Sequence, residues 1–183
     1  MSNPAIHPPS LLHPLDILCR AAGRAVPWHE EVTPESIPQP FRSLLVHNRD
    51  MTSTLELYHG GPIHLRVLNM SRDDDTLHRE VLLCRDRDGI PVEFGATLAR
   101  LRQFAEPWRS EIVASRRPLG GILNDSRMPY LSCPSAYLRL RPDAFLRESL
   151  GLAGQSWLFG RRNTLTTPSG EEIASILEIL PPA

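Results

Sequence analysis

Lysine is missing from this sequence: all twenty basic residues among its 183 are arginine. That excludes Schiff-base chemistry, whether aldolase-like or pyridoxal-dependent, because both need a lysine amine. It also excludes the phosphate-binding lysine of a P-loop and the strand lysine of a protein kinase. What remains is arginine, whose planar fork suits carboxylates and phosphates. No apolar run approaches the roughly 18 residues of a membrane-crossing helix. The opening MSNPAIHPPS has neither a basic nor an apolar leader region, so no export is expected. Three widely spaced cysteines, Cys19, Cys84 and Cys133, fit reduced thiols in a cytoplasmic protein better than a disulfide framework. A net charge of −1 gives no electrostatic reason to expect nucleic acid or an acidic membrane as partner.

Motifs are scarce as well. HExxH, CxxC, GxSxG, GxGxxG and Walker patterns do not occur. The histidines all lie between His7 and His78 without ligand spacing, so no metal is expected. Asp73-Asp74-Asp75 lacks calcium-loop spacing and reads as a solvated turn. The arginine pairs 116-117 and 161-162 read as exposed strand-edge or loop residues that could contact anions.

The length suits one domain with a real core: a loose tail over residues 1–10, then a single domain over 11–183. Helical spacing marks 11–25, with shorter pieces at 41–47 and 51–59 before Gly60-Gly61-Pro62, and another at 106–115. From Ile63 the period becomes two. Strands are expected at 77–87 and 90–101 around Asp88-Gly89, at 135–140, and at 157–167 and 171–180 around Pro168-Ser169-Gly170. Two or three helices and five or six strands joined by hairpins give an α+β fold: a single-domain antiparallel sheet flanked by helices.

Two strands break the inside-out alternation. Arg79 shares a face with Leu77, Val81 and Leu83; Glu178 shares one with Ala174, Ile176 and Leu180. A charge in an apolar row is costly unless paired or liganded. Two readings stay open: an Arg79–Glu178 structural ion pair, or a pocket where Arg79 takes a ligand carboxylate. Spacing does not decide whether Arg79 or Glu80 points inward, since Glu80 is flanked on its own face by Leu82 and Cys84.

These residues resemble a known family. Arg79-Glu80-Val81-Leu82-Leu83-Cys84 before a hairpin is similar to the REILLC strand of bacterial chorismate lyases. Pro118-Leu119-Gly120 resembles that family's PLG turn, Leu158-Phe159-Gly160-Arg161-Arg162 its LWGRR segment, and Leu177-Glu178-Ile179-Leu180-Pro181 its closing TELFLP. Asp50-Met51-Thr52 with Glu56 resembles a DSMTxxxE stretch. The matches run in order over about residues 45–181.

The resemblance implies an antiparallel sheet enclosing its ligand under flaps. It also implies cofactor-free, metal-free conversion of chorismate, a compact dicarboxylate, to 4-hydroxybenzoate and pyruvate. By position, Arg79 would bind the ring carboxylate and Leu119 would contact ligand through its backbone. Glu178 would hydrogen-bond the ring hydroxyl, and Met51 would lie on a helical flap. In the family the product feeds ubiquinone, phenolic lipids or a methanopterin-type cofactor, and an enclosed single-chain pocket makes a monomer sufficient.

One departure stands out. After the PLG turn the family commonly has Arg-Tyr-Leu-Phe, whereas this chain has Gly121-Ile122-Leu123-Asn124. A basic residue is missing there, and Arg127, Arg161 and Arg162 are the candidates to replace it. Two other readings follow: a relative with an altered substrate or without catalysis, or an effector-binding module of the UTRA type, which shares the fold. No basic recognition helix precedes the matching region.

Overall fold

The computed structural model describes residues 10–154 and 156–182. Most of the expected tail, residues 1–9, lies outside the described residues, as do Gln155 and Ala183.

The elements run α1 (Leu15–Ala21), β1 (His29–Val32), α2 (Phe41–Leu45), α3 (Met51–His59), β2 (Ile63–Arg72), β3 (Thr76–Arg85) and β4 (Pro91–Arg100). They continue with α4 (Trp108–Ala114), α5 (Leu119–Ser126), β5 (Leu131–Leu140), α6 (Ala144–Leu150), β6 (Leu158–Thr166) and β7 (Glu172–Leu180). All strands join one antiparallel sheet, in the order β1-β5-β6-β7-β4-β3-β2. The expected antiparallel α+β architecture is the one observed. It consists of two meanders, β2-β3-β4 and β5-β6-β7, joined where β4 pairs with β7.

The turns form where the sequence places them. Gly89 adopts φ 69° between β3 and β4, and Gly170 adopts φ 91° between β6 and β7, both left-handed and unstrained in glycine. Helix α3 opens on Asp50, whose carboxylate accepts from the Ser53 N–H at 2.8 Å, and closes on left-handed Gly60. Helix α6 has the same signature, Asp143 to Gly151.

Several elements escape the sequence reading. The charged string His29-Glu30-Glu31-Val32 has no apolar alternation, yet it pairs as an edge strand with β5. Pro118-Leu119-Gly120 is expected as a turn, but α5 begins at Leu119 and buries Leu119, Ile122 and Leu123. The helix expected over 11–25 is confined to Leu15–Ala21.

Both faces of the sheet are covered, which is why its central strands are buried on both sides. On one face α1 and α6 pack Leu15, Leu18, Leu146 and Leu150 against Leu82, Phe94, Leu177 and Ile179. On the other, two apolar clusters lie apart. One gathers Leu77, Ala99, Ala174 and Leu165 with Ile112, Leu119 and Ile122. The second gathers Leu83, Phe159 and Leu180 with Leu45, Met51 and Leu55.

Candidate functional site

Between those two clusters the sheet carries a polar band. Register sets it out in rows across four strands. Leu77, Ala99, Ala174 and Leu165 form an apolar row. Next come Arg79, Thr97, Ile176 and Asn163, then Val81, Gly95, Glu178 and Arg161. Glu93 pairs with Leu83 at the far side of the band.

A cavity of about 60 Å³ opens over this band, roofed by the starts of α3 and α5. At about 10–15 Å³ for each water, that is room for roughly four to six waters, far short of a dinucleotide. Met51, Arg79, Leu119 and Glu178 all line it, although α3, β3, α5 and β7 supply them separately. Asp50, Glu93, Thr97, Tyr130, Ser132 and Asn163 line it too, and the sequence reading singled out none of these for the site. Glu93 left a faint signal, since it shares a face with Gly95 and Thr97 in a strand that is otherwise apolar. At the start of a strand such a glutamate reads as solvated.

Arg79 is 2% exposed and has no carboxylate partner among the described residues. Its Nη1 donates to Ser115 Oγ at 3.3 Å, while its Nε is buried without a partner. Burial pushes its guanidinium down to about 10, still cationic at neutral pH. It is the one cation among the described residues lining the cavity. Glu80, on the opposite face, is buried as well, held by Arg24 and by Asn69 Nδ2 at 2.7 Å. Both residues therefore point into the protein, on opposite sides of the sheet. Alternation could not rank them because neither face is solvent.

The ion pair considered between Arg79 and Glu178 is not formed. Glu178 is bound instead through Oε2 by Arg161 Nε from the neighbouring strand. Arg161 is fully buried, which corrects its reading as an exposed anion contact. Its Nη1 also donates to the carbonyls of Leu45 at 3.1 Å and His47 at 2.7 Å, and its Nη2 to that of Arg49 at 3.1 Å. One guanidinium thus orients Glu178 and ties down the segment leading into α3. His47 completes the tie. Its Nε2 lies 2.8 Å from the Leu44 carbonyl, and its Nδ1 faces Arg161 Nη1 at 3.2 Å, so the neutral Nε2–H tautomer fits. Burial, with Arg161 beside it, lowers its pKa.

Arg162 points to the other side, bonding Ser135 Oγ at 2.8 Å and the Ser10 carbonyl at 3.0 Å. Neither it nor Arg127, the left-handed cap of α5, lines the cavity. The basic residue missing after Gly120 is therefore not replaced in the cavity wall by any of the three candidates.

Glu93 is 4% exposed and its Oε2 has no partner among the described residues. Burial, with the charge of Glu178 adding to it and Arg161 opposing, holds its carboxyl well above the usual carboxylate range. Gly120 lets the roof close: a Cβ there would stand 3.0 Å from Asp50 Oδ1 and 3.2 Å from Thr52 Oγ1.

No protein-family model matches the sequence, and no curated protein matches it significantly. Solved structures do match in fold. The effector domain of PhnF from Mycobacterium smegmatis superposes with a TM-score of 0.55 at 14% identity, over 74% of this chain and 90% of that one. The longer PhnF structure gives 0.54 at 14% identity, over 74% and 65%. A ligand-binding domain assigned to a GntR-family transcriptional regulator from Bordetella bronchiseptica gives 0.51 at 11% identity, over 65% and 85%. At such identities the likeness is one of fold alone. The chain has the antiparallel, helix-flanked architecture common to chorismate lyases and these effector domains.

Proposed function

We propose that residues 11–183 form one domain whose cavity binds a small aromatic or near-aromatic carboxylic acid, and that it acts as a chorismate lyase. The observation that carries the reading is Arg79: a buried cation without a counter-ion among the described residues, in the wall of a cavity that also holds Met51, Leu119 and Glu178. A buried charge is tolerable when a ligand completes it.

The chemistry asks little of the protein. Chorismate is one elimination from an aromatic ring. The ether bond at C3 breaks, the C4 hydrogen leaves as a proton, and the departing enolpyruvate takes up a proton to become pyruvate. The catalyst holds the reactive conformer and keeps water away. The Arg79 fork fixes the ring carboxylate. Glu178, held by Arg161, accepts from the ring hydroxyl and polarises it. Leu119 and Met51 close the roof. No metal or cofactor enters this scheme.

A second reading, an effector-binding domain or altered-substrate relative, has its own support. Arg79 is the lone cation of the described cavity wall, which matches a ligand with one carboxylate better than chorismate with two.

The experiment is incubation of purified protein with chorismate and EDTA, following 4-hydroxybenzoate by chromatography and pyruvate by a coupled reaction. Equal amounts of both products, lost in Arg79→Ala, support the lyase. No turnover with 4-hydroxybenzoate still binding moves the assignment to the effector-binding reading.

A further inference from the structure

We propose that Glu93 and Glu178 together select a ligand hydroxyl, Glu178 accepting its proton in a hydrogen bond and Glu93 donating one back through Oε2. This rests on the cavity's being a carboxylic-acid site with the carboxylate at Arg79.

Three observations carry it. First, the two carboxyl groups are near neighbours: Glu178 pairs with Gly95, and Glu93 lies two residues from Gly95 on the same face. Such diagonal partners reach each other across a ladder. The missing side chain at Gly95 matters here, since its Cβ would stand 3.3 Å from Glu93 Oε1. Second, the cations are unevenly shared. Arg161 binds Glu178, whereas no cation among the described residues bonds Glu93. Two carboxyl groups in one dry wall with a single counter-ion keep one proton between them, and it stays on the group without a partner. Third, Glu93 Oε2 is a buried polar atom with no hydrogen-bond partner among the described residues. Buried groups of this kind are rare and costly unless a ligand completes them.

The surrounding charges agree. Glu93 faces Glu178 from β7 and Arg161 from β6, while Arg79 from β3, Asp50 at the start of α3 and Tyr130 share the cavity. With Glu93 neutral, Arg161 and Glu178 cancel, and Arg79 is left as the positive charge of the sheet wall, with the Asp50 carboxylate in the roof. The backbone of Glu93 lies four residues along β4 from Thr97, the partner of Arg79, or about 13 Å of strand. A single ring with a carboxylate at one end and a hydroxyl at the other is shorter than that interval, and in the proposed complex the two side chains make up the difference. The ligand class is thus a para-hydroxylated aromatic or cyclohexadienyl acid. An oxygen that only accepts, or a second carboxylate, meets one of the two glutamates badly.

The test is calorimetric titration of 4-hydroxybenzoate, benzoate and terephthalate into wild type, Glu93→Gln and Glu93→Leu, with thermal unfolding to check the variants. Wild type should prefer 4-hydroxybenzoate over benzoate by roughly a hundredfold, about tenfold for each hydrogen bond. Terephthalate should bind more weakly still. Glu93→Gln keeps a neutral donor and should keep the preference. Glu93→Leu should lower it about tenfold while benzoate binds as before. An unchanged ratio in Glu93→Leu overturns the inference and leaves the carboxylic-acid site standing. No binding of either monoacid to wild type, or equal binding by Arg79→Ala, removes that site and the inference together.

Discussion

Arg161 and Glu178 sit directly opposite one another on β6 and β7, and their ion pair is closed off from solvent. The same guanidinium holds three carbonyls of the segment before α3. Replacing it with methionine strands a buried carboxylate and releases that segment. Urea unfolding should show a loss of about 3–5 kcal/mol.

Arg79 should behave in the opposite way. It too is buried, but it has no counter-ion among the described residues, so Arg79→Met removes an uncompensated charge. Stability should rise by about 1 kcal/mol or more. Affinity for 4-hydroxybenzoate and turnover of chorismate should both fall at least thirtyfold, from the lost charged contact. A variant that is less stable and still binds would contradict the assignment of Arg79.

Stability should depend on pH through Glu93. Its carboxyl is raised in the folded protein, so between its unfolded pKa near 4.5 and its folded value the native state binds the extra proton. Stability from this group is fully present below the unfolded pKa. It is then lost as pH rises towards the folded one, by up to about 1.4 kcal/mol per pH unit. Urea titrations from pH 5 to 8 should show this downward slope in wild type relative to Glu93→Gln, whose amide does not titrate.

Glycines fix the spacing under the site. At Gly160 a Cβ would stand 2.5 Å from the main-chain oxygen of Glu178, an atom the sheet cannot move. Gly160→Ala should cost about 3 kcal/mol or more and shift the thermal midpoint accordingly.

At Gly95 the neighbours are side chains instead, Val81 Cγ2 at 3.2 Å and Glu93 Oε1 at 3.3 Å. Gly95→Ala should fold, with a loss of about 1 kcal/mol, and should weaken 4-hydroxybenzoate binding roughly tenfold by filling the cavity floor. Equal affinity in calorimetry would show that ligand does not reach Gly95.

The strands from Ile63 onward and the turns at Gly89 and Gly170 were legible because glycine and alternating apolar residues announce them locally, although β5 begins at Leu131 rather than the expected Ser135. Arg79 and Glu178 were legible for a related reason, being charges set in apolar rows. Their partners were not. Whether Glu178 met Arg79 or Arg161 depended on strand order, which places β4 between β3 and β7. Helix α6 had a local signal that was overlooked, Asp143 and Gly151 eight residues apart. Helix α5 had none, since Pro118 and Gly120-Gly121 argue for a turn. It forms because tertiary burial of Leu119, Ile122 and Leu123 outweighs the intrinsic cost of the glycines.

The seam between the two meanders has a consequence for how the site comes into being. Arg79 belongs to the first meander, Glu178 and Arg161 to the second, and they meet only when Phe94 finds Ile179 and Ala99 finds Ala174. Those residues are distant in the chain, so closing the seam carries a large loop-closure entropy and belongs to the slow part of folding. Each meander can zip from its own hairpins, but neither alone makes a binding site. On the proposed function, ligand affinity is therefore a late-acquired property. A small acid that bridges Arg79 and Glu178 acts as a clasp across the seam, slowing its reopening.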